Sequence, residues 1–177
     1  RDLDLLRRIA EKNELSINIT VTTLRPRLAR LLEPRAPRPD LRLAALRSLR
    51  DAGLDAGVFA MPILPGLTDR AADLDRLFLA ARESGAQWLG AQVVFLRSAA
   101  LKEFLSFLDA KFPKLARDYR RWYARTGYAP EKIRAEITAR VRALREKHHL
   151  ASRPYAPDRL ARASSFDAPQ LSLPLAV

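Results

Sequence analysis

Three apolar stretches, at residues 15–22, 55–64 and 87–96, stand between helical patterns, and that alternation constrains the fold more than anything else in the chain. Strands separated by helices pair in parallel, through right-handed crossovers. The order reads α–β–α–β–α–β–α, an α/β fold. Three such strands do not close a barrel, and alone they leave sheet edges to be covered. The chain starts without Met, inside an amphipathic pattern, so it is expected to belong to something longer.

The first helix is expected over 2–12, where Leu3, Leu6 and Ile9 fall at helical spacing, and it ends near Asn13. Residues 15–22 then alternate. Leu15, Ile17, Ile19 and Val21 share one face; Ser16, Asn18, Thr20 and Thr22 share the other. Such a strand suits a barrel wall, with its apolar face toward helices and its polar face lining a pocket. The alternative is an edge strand with a wet side. A proline-punctuated, basic connection over 24–40 holds a short helix, 26–32. Leu43, Leu46 and Leu49 mark the next helix, with Asp40 as its N-cap and Gly53 past its end.

The stretch 58–69 is the organising centre of the chain. An apolar run enters it, Pro62, Pro65 and Gly66 stop it, and Thr68 or Asp69 is placed to cap the next helix. It reads as a buried strand opening into a loop and a helix N-terminus, and parallel α/β folds bind ligands at that edge. Gly66 lets the backbone turn or a ligand approach. Leu74, Leu77, Phe78 and Ala81 stripe a helix over 69–84, ended by Gly85. A nearly continuous apolar strand over 87–96 precedes a helix over 99–112, capped by Ser98 and striped by Leu101, Leu105, Leu108 and Phe112.

Beyond Pro113 the chain turns helical and basic, with eleven Lys or Arg against four Asp or Glu over 113–150. Tyr119, Trp122 and Tyr123 read first as core residues of amphipathic helices, with a nucleic-acid surface as the rival. Ile133, Ile137, Val141 and Leu144 form a second stripe. From 151 onward Pro, Ser, Ala and Arg dominate without period, which reads as a disordered tail. Leu171-Ser-Leu-Pro-Leu is a candidate docking segment within it.

Composition removes several chemistries. There is no cysteine, so the chain supplies no disulfide, no thiolate zinc site and no thiolate ligand to an iron–sulfur cluster. Two adjacent histidines, His148 and His149, are too few to form a metal site alone, and Ser–His or Cys–His catalysis has little support. Six scattered glycines form no phosphate loop, and no internal repeat is present. No apolar run is long enough to span a bilayer, and the first residues lack the apolar core of a secretory signal, so a cytoplasmic location is expected. The net charge of +12 and isoelectric point near 10.9 favour a polyanion as partner, with solvated arginine faces as the plain alternative.

Four segments in order carry a resemblance: Ile19-Thr-Val-Thr-Thr-Leu24, Leu32-Glu-Pro-Arg-Ala-Pro37, the leucine stripe from Arg42 to Gly53, and Met61-Pro-Ile-Leu-Pro-Gly-Leu-Thr-Asp69. Together they resemble the C-terminal half of a radical S-adenosylmethionine (SAM) protein of the spore photoproduct lyase-like branch, over residues 1–125. The resemblance implies that 1–112 is half of a partial (β/α)6 TIM-like barrel; the basic helical extension over 113–150 and the tail over 151–177, read from composition, are not needed for it. It implies SAM and a [4Fe-4S] cluster as cofactors, a 5′-deoxyadenosyl radical that abstracts hydrogen, and the missing N-terminal half-barrel as partner. The family's three-cysteine cluster motif and its glycine–glycine–glutamate motif are absent, so their ligands are expected upstream, and the chain alone is expected to be inactive.

Residue by residue, the resemblance puts Thr20 or Thr22 toward the ribose and methionine part of SAM. The loop carrying Met61, Pro62, Leu64 and Gly66 would contact adenine; Pro62 stands where the family has glycine. The strand end Phe95, Leu96 and Arg97 would complete that pocket. Glu33 and Arg35, in the basic loop over the barrel mouth, are candidates for substrate or structural pairing, and Arg97 is a candidate for substrate contact. DNA or another nucleic acid is the substrate class the charge favours. Two rivals stay open: a non-catalytic basic nucleic-acid-binding α/β module, and a TIM-barrel-like enzyme of another chemistry.

Overall fold

The computed structural model describes residues 2–152. The elements run α1 (Leu3–Lys12), β1 (Ser16–Thr20), α2 (Pro26–Leu32), α3 (Pro39–Asp51), β2 (Asp55–Ile63), α4 (Ala71–Glu83), β3 (Leu89–Val93), α5 (Ser98–Lys111), α6 (Pro113–Trp122) and α7 (Glu131–Lys147). The three strands are parallel, in the order β1-β2-β3, as the alternation predicts. Among the described residues they form an open sheet, and no helix is long and apolar enough to cross a membrane.

The period-2 pattern of β1 sorts the two sheet faces. Ile17 and Ile19 turn to a core that also holds Ala56, Val58 and Ala60 of β2 and Leu89 of β3. Helices α1, α3, α4 and α7 bring Leu6, Leu46, Leu77, Phe78, Ile137 and Val141 to the same core. The opposite face carries Asn18, Thr20, Phe59, Met61 and Gln92, and none of these enters either hydrophobic core. Glycine is required there at two places, because the Trp88 ring lies against Gly57 and the Phe59 ring against Gly90.

A second core caps the carboxyl ends of the strands. It joins Leu64 and Leu67 after β2, Val94 and Leu96 after β3, and Leu108, Ala116, Tyr119 and Tyr123 of α5, α6 and the residue just past α6. Tyr119 and Tyr123 are therefore core, as their spacing indicates, the first fully buried and the second nearly so, with Trp122 partly buried against them, while Tyr128 of the same segment is exposed. The predicted stripe of α7 holds as well, with Ile137, Val141 and Leu144 buried. Asp75 of α4 accepts hydrogen bonds from Lys147 and His148, which ties α4 to the end of α7.

Several local expectations need correction. Asp40 is not the N-cap of α3; it lies in the first turn, and its carboxylate pairs with Arg38. Pro39 starts the helix instead, where the missing N–H costs nothing. Ser98 is the first residue of α5 rather than its cap, at φ +48°. β1 and β3 are shorter than the apolar runs that announced them; just past their ends Val21 N–H still donates to the Phe59 carbonyl and Val94 N–H to the Ile63 carbonyl, each at 2.9 Å, before the chain turns into the mouth of the sheet. Ala151, assigned to the tail, pairs with Trp88 in a parallel bridge. The rest of the expected disordered tail, including the docking segment at 171–175, lies outside the described residues apart from Ser152.

Candidate functional site at the strand carboxyl ends

The end of β2 is shaped by a bulge. Ala60 pairs with Ala91 and Ile63 with Val93, so Met61 and Pro62 together stand opposite the single Gln92. The strand bends there and leads into the loop 64–70. That loop is closed by its own side chains. Leu64 N–H donates to Thr68 Oγ1 at 2.8 Å, and Gly66 N–H donates to Asp69 Oδ1 at 2.8 Å. The amides of Leu67 and Thr68 both return to the Leu64 carbonyl, each at 2.9 Å. Thr68 and Asp69 thus serve the loop instead of capping α4, which begins at Ala71 without a side-chain cap. Four of the loop's amides, those of Leu64, Gly66, Leu67 and Thr68, are consumed internally and are not left to hold a ligand.

Two phenols fasten this end of the sheet from above. Tyr119 Oη donates to the Pro65 carbonyl at 3.0 Å, and Tyr123 Oη donates to the Val94 carbonyl at 3.1 Å. Their rings stack at 5.3 Å between centroids. Burial pushes the Tyr123 phenol up to about 12 and raises Tyr119 further, so both remain neutral donors.

Between this end of the sheet, α2 and α5 lies a cleft of about 480 Å³. It gathers Thr22, Glu33, Pro62, Leu64 and Leu96, five residues singled out from the sequence, from three separate strand ends and the α2 terminus. Phe104 and Phe107 of α5 close its far wall. The sequence reading missed these two. Phe104 falls on the stripe itself, three residues after Leu101 and four before Leu108, while Phe107 lies beside it, and the signal that could have found both is an apolar face of α5 wider than one core contact requires.

Arg42 was also missed, and it sets the polar rim. Its guanidinium donates to the Thr20 carbonyl at 2.7 Å, to the Pro37 carbonyl at 3.0 Å, and to the Glu33 carboxylate. One half-buried side chain therefore joins the end of β1, the α2–α3 connection and the acid of the cleft. A fork of five donors allows this, which a lysine could not reproduce.

The remaining singled-out residues lie elsewhere. Thr20 ends β1 and Met61 touches the Gly90 side of the sheet; both are close to the mouth but outside the lining of the cleft. Gly66, at φ +80°, turns toward α6, where a Cβ would come within 2.7 Å of Leu115 Cδ1. Its close approach is to this chain's own leucine. Arg35 is exposed on the α2–α3 connection. Arg97 borders a different hollow with Phe95 and Tyr128, so of the strand end 95–97 only Leu96 enters the cleft. Among the described residues no group of three or more His, Asp or Glu is set to hold a metal ion.

Comparison with known proteins gives relatives without an assigned role. An uncharacterized protein of Mycobacterium tuberculosis and one of Mycobacterium bovis are each 34% identical over 160 residues, covering 89% of this chain and 47% of theirs. An uncharacterized protein of Acidianus two-tailed virus is 40% identical over 65 residues, covering 37% of this chain and 21% of its own. The chain thus spans about half the length of the mycobacterial proteins it matches. No family model matches it, and no solved structure does.

Proposed function

We propose that this chain is the C-terminal part of a radical SAM barrel enzyme of the spore photoproduct lyase-like kind, and that the cleft at the strand ends receives the nucleoside part of SAM. The observation that carries the reading is the convergence of Thr22, Pro62, Leu64 and Leu96 on one cleft, each from the carboxyl end of a parallel strand. A partial barrel also accounts for the sheet. Helices α1, α3, α4 and α7 stand on one face, and the opposite face keeps Asn18, Thr20 and Gln92 among Phe59 and Met61, as a barrel interior would.

The residues fit a nucleoside. Leu64, Leu96, Pro62 and Phe104 offer apolar contact to the faces of a base, while Thr22 and Glu33 offer a hydroxyl and a carboxylate to ribose hydroxyls. Arg42 holds Glu33 in place for that task. Thr22 is the better placed of the two threonines, since Thr20 lies outside the cleft. A [4Fe-4S] cluster does not fit this chain's residues, because there is no cysteine, and no step is assigned to it. When bound, SAM supplies a hydrogen-abstracting radical after reductive cleavage, and the protein supplies position and exclusion of water. A cytoplasmic setting and the N-terminal half-barrel as partner go with this reading.

The test is equilibrium binding of labelled SAM to the longer protein that contains this chain, with Leu96→Trp to fill the cleft and Thr22→Val to remove its hydroxyl. Loss of binding in Leu96→Trp, with a weaker effect in Thr22→Val, supports the assignment. An upstream region with no cysteine triplet, or SAM binding indifferent to both substitutions, removes it.

A second reading has one observation of its own. Phe95 and Tyr128 are both about half exposed and lie ring to ring at 4.7 Å, and Arg134 sits 5.2 Å over the Tyr128 ring. Exposed aromatic rings beside arginines can stack nucleic-acid bases. Salt-dependent binding of a single-stranded oligonucleotide, weakened by Tyr128→Ala, would favour a binding module over an enzyme.

A further inference from the structure

On the other side of α2 lies a second groove, which shares Leu31 alone with the lining of the cleft described above. It runs between α2, the loop 64–70 and the start of α6, with a volume of about 1020 Å³. Leu31, Leu67 and Leu115 line its floor, and Leu31 is 41% exposed. Arg27, Arg70 and Lys114 stand along its rim, all exposed, and none has a carboxylate within ion-pair distance among the described residues. No acidic residue lines the groove. Arg25, also at its edge, is already committed to the Leu67 carbonyl and lies beside Asp73.

We infer that this groove docks an acidic amphipathic helix of a partner protein. Three cations with no internal counter-charge are complementary to carboxylates, and the floor between them is complementary to leucine-like side chains. The partner's segment must largely satisfy its own backbone, because the loop amides of Gly66 and Leu67 in the groove lining are spent internally. Leu64, Gly66, Leu67 and Thr68 all donate within the loop. That argues against an added β-strand and for a helix, whose hydrogen bonds are its own. A nucleic acid is a poorer match, since the floor is aliphatic and the one ring in the lining, Phe112, is tilted against Phe107 at 5.8 Å. A membrane surface is poorer still, since the apolar residues lie in a concavity between basic walls.

The test uses the full chain and a displayed library of helical peptides of about 16 residues, about 24 Å long. Binders are selected on the wild type and measured by fluorescence anisotropy against Arg27→Glu/Arg70→Glu and against Leu31→Glu. Circular dichroism melts of each variant check folding; none of the three positions makes an internal ion pair among the described residues. The expected result is enrichment of helices with leucines at i, i+3, i+4 and i+7 and glutamates opposite. Affinity should fall about tenfold or more in either variant. A peptide with lysine in place of each glutamate should prefer the charge-reversed protein. The inference is overturned if no common pattern is enriched, or if selected peptides bind both variants as well as the wild type. It is equally overturned if only an oligo-dT strand or anionic phospholipid vesicles respond to the reversal.

Discussion

The Tyr119 phenol donates a 3.0 Å hydrogen bond to the Pro65 carbonyl, joining the first turn after β2 to the middle of α6 across 54 residues of chain. Both residues are fully buried. Tyr119→Phe keeps the ring stack and leaves that carbonyl without its donor. Unfolding by urea should show a loss of about 1–3 kcal/mol with an unchanged slope. Tyr119→Phe behaving as the wild type would mean that α6 is held by ring packing alone.

Alkaline pH should act on the same clamp. The Tyr123 phenol has its pKa raised from 10.0 to about 12 by burial, and Tyr119 moves in the same direction. The folded state therefore favours the protonated form. That contribution is complete below pH 10 and is lost as pH rises through 12, where the unfolded chain has already released the proton. Stability should fall across that interval, and phenolate absorbance should appear together with unfolding. Tyr123→Phe should show a shallower fall.

Two glycines with nearly the same φ separate conformational strain from crowding. Gly53 has φ +79° with nothing within 4 Å of a built Cβ, and Gly66 has φ +80° with Leu115 Cδ1 at 2.7 Å. Gly53→Ala should cost about 1–2 kcal/mol, the left-handed penalty alone. Gly66→Ala should cost more, and the excess should shrink in the double variant Gly66→Ala/Leu115→Ala. Equal costs at both sites in thermal melts would show that Leu115 yields freely.

Arg42 should matter more than its position in α3 suggests. Arg42→Met removes donors from the Thr20 and Pro37 carbonyls and from Glu33, and should cost about 1–3 kcal/mol. Amide exchange over 21–38 should quicken, since this side chain ties the connection to the sheet. Arg42→Lys should recover little, because one ammonium cannot span three acceptors. If exchange in that segment is unchanged, the cleft's polar rim is held by something other than Arg42.

The alternation of helical and strand patterns determined the α/β class and the parallel pairing, and the stripes of α4 and α7 named their buried faces correctly. Periodicity reports which side of an element avoids water, and that is a local property. Gly53 and Gly85, at φ +79° and +85°, were legible for the same reason, since a helix end needs a left-handed residue wherever it packs. What the period cannot report is the partner. Thr68 and Asp69 have the chemistry of helix caps, but they bond to the nearest free amides, and the turn at Pro65 and Gly66 brings those from Leu64 and Gly66. Phe104, Phe107 and Arg42 joined the cleft because α5 folds back over the strand ends and α3 passes beside β1. Those approaches join residues tens of positions apart, and only three-dimensional packing decides them.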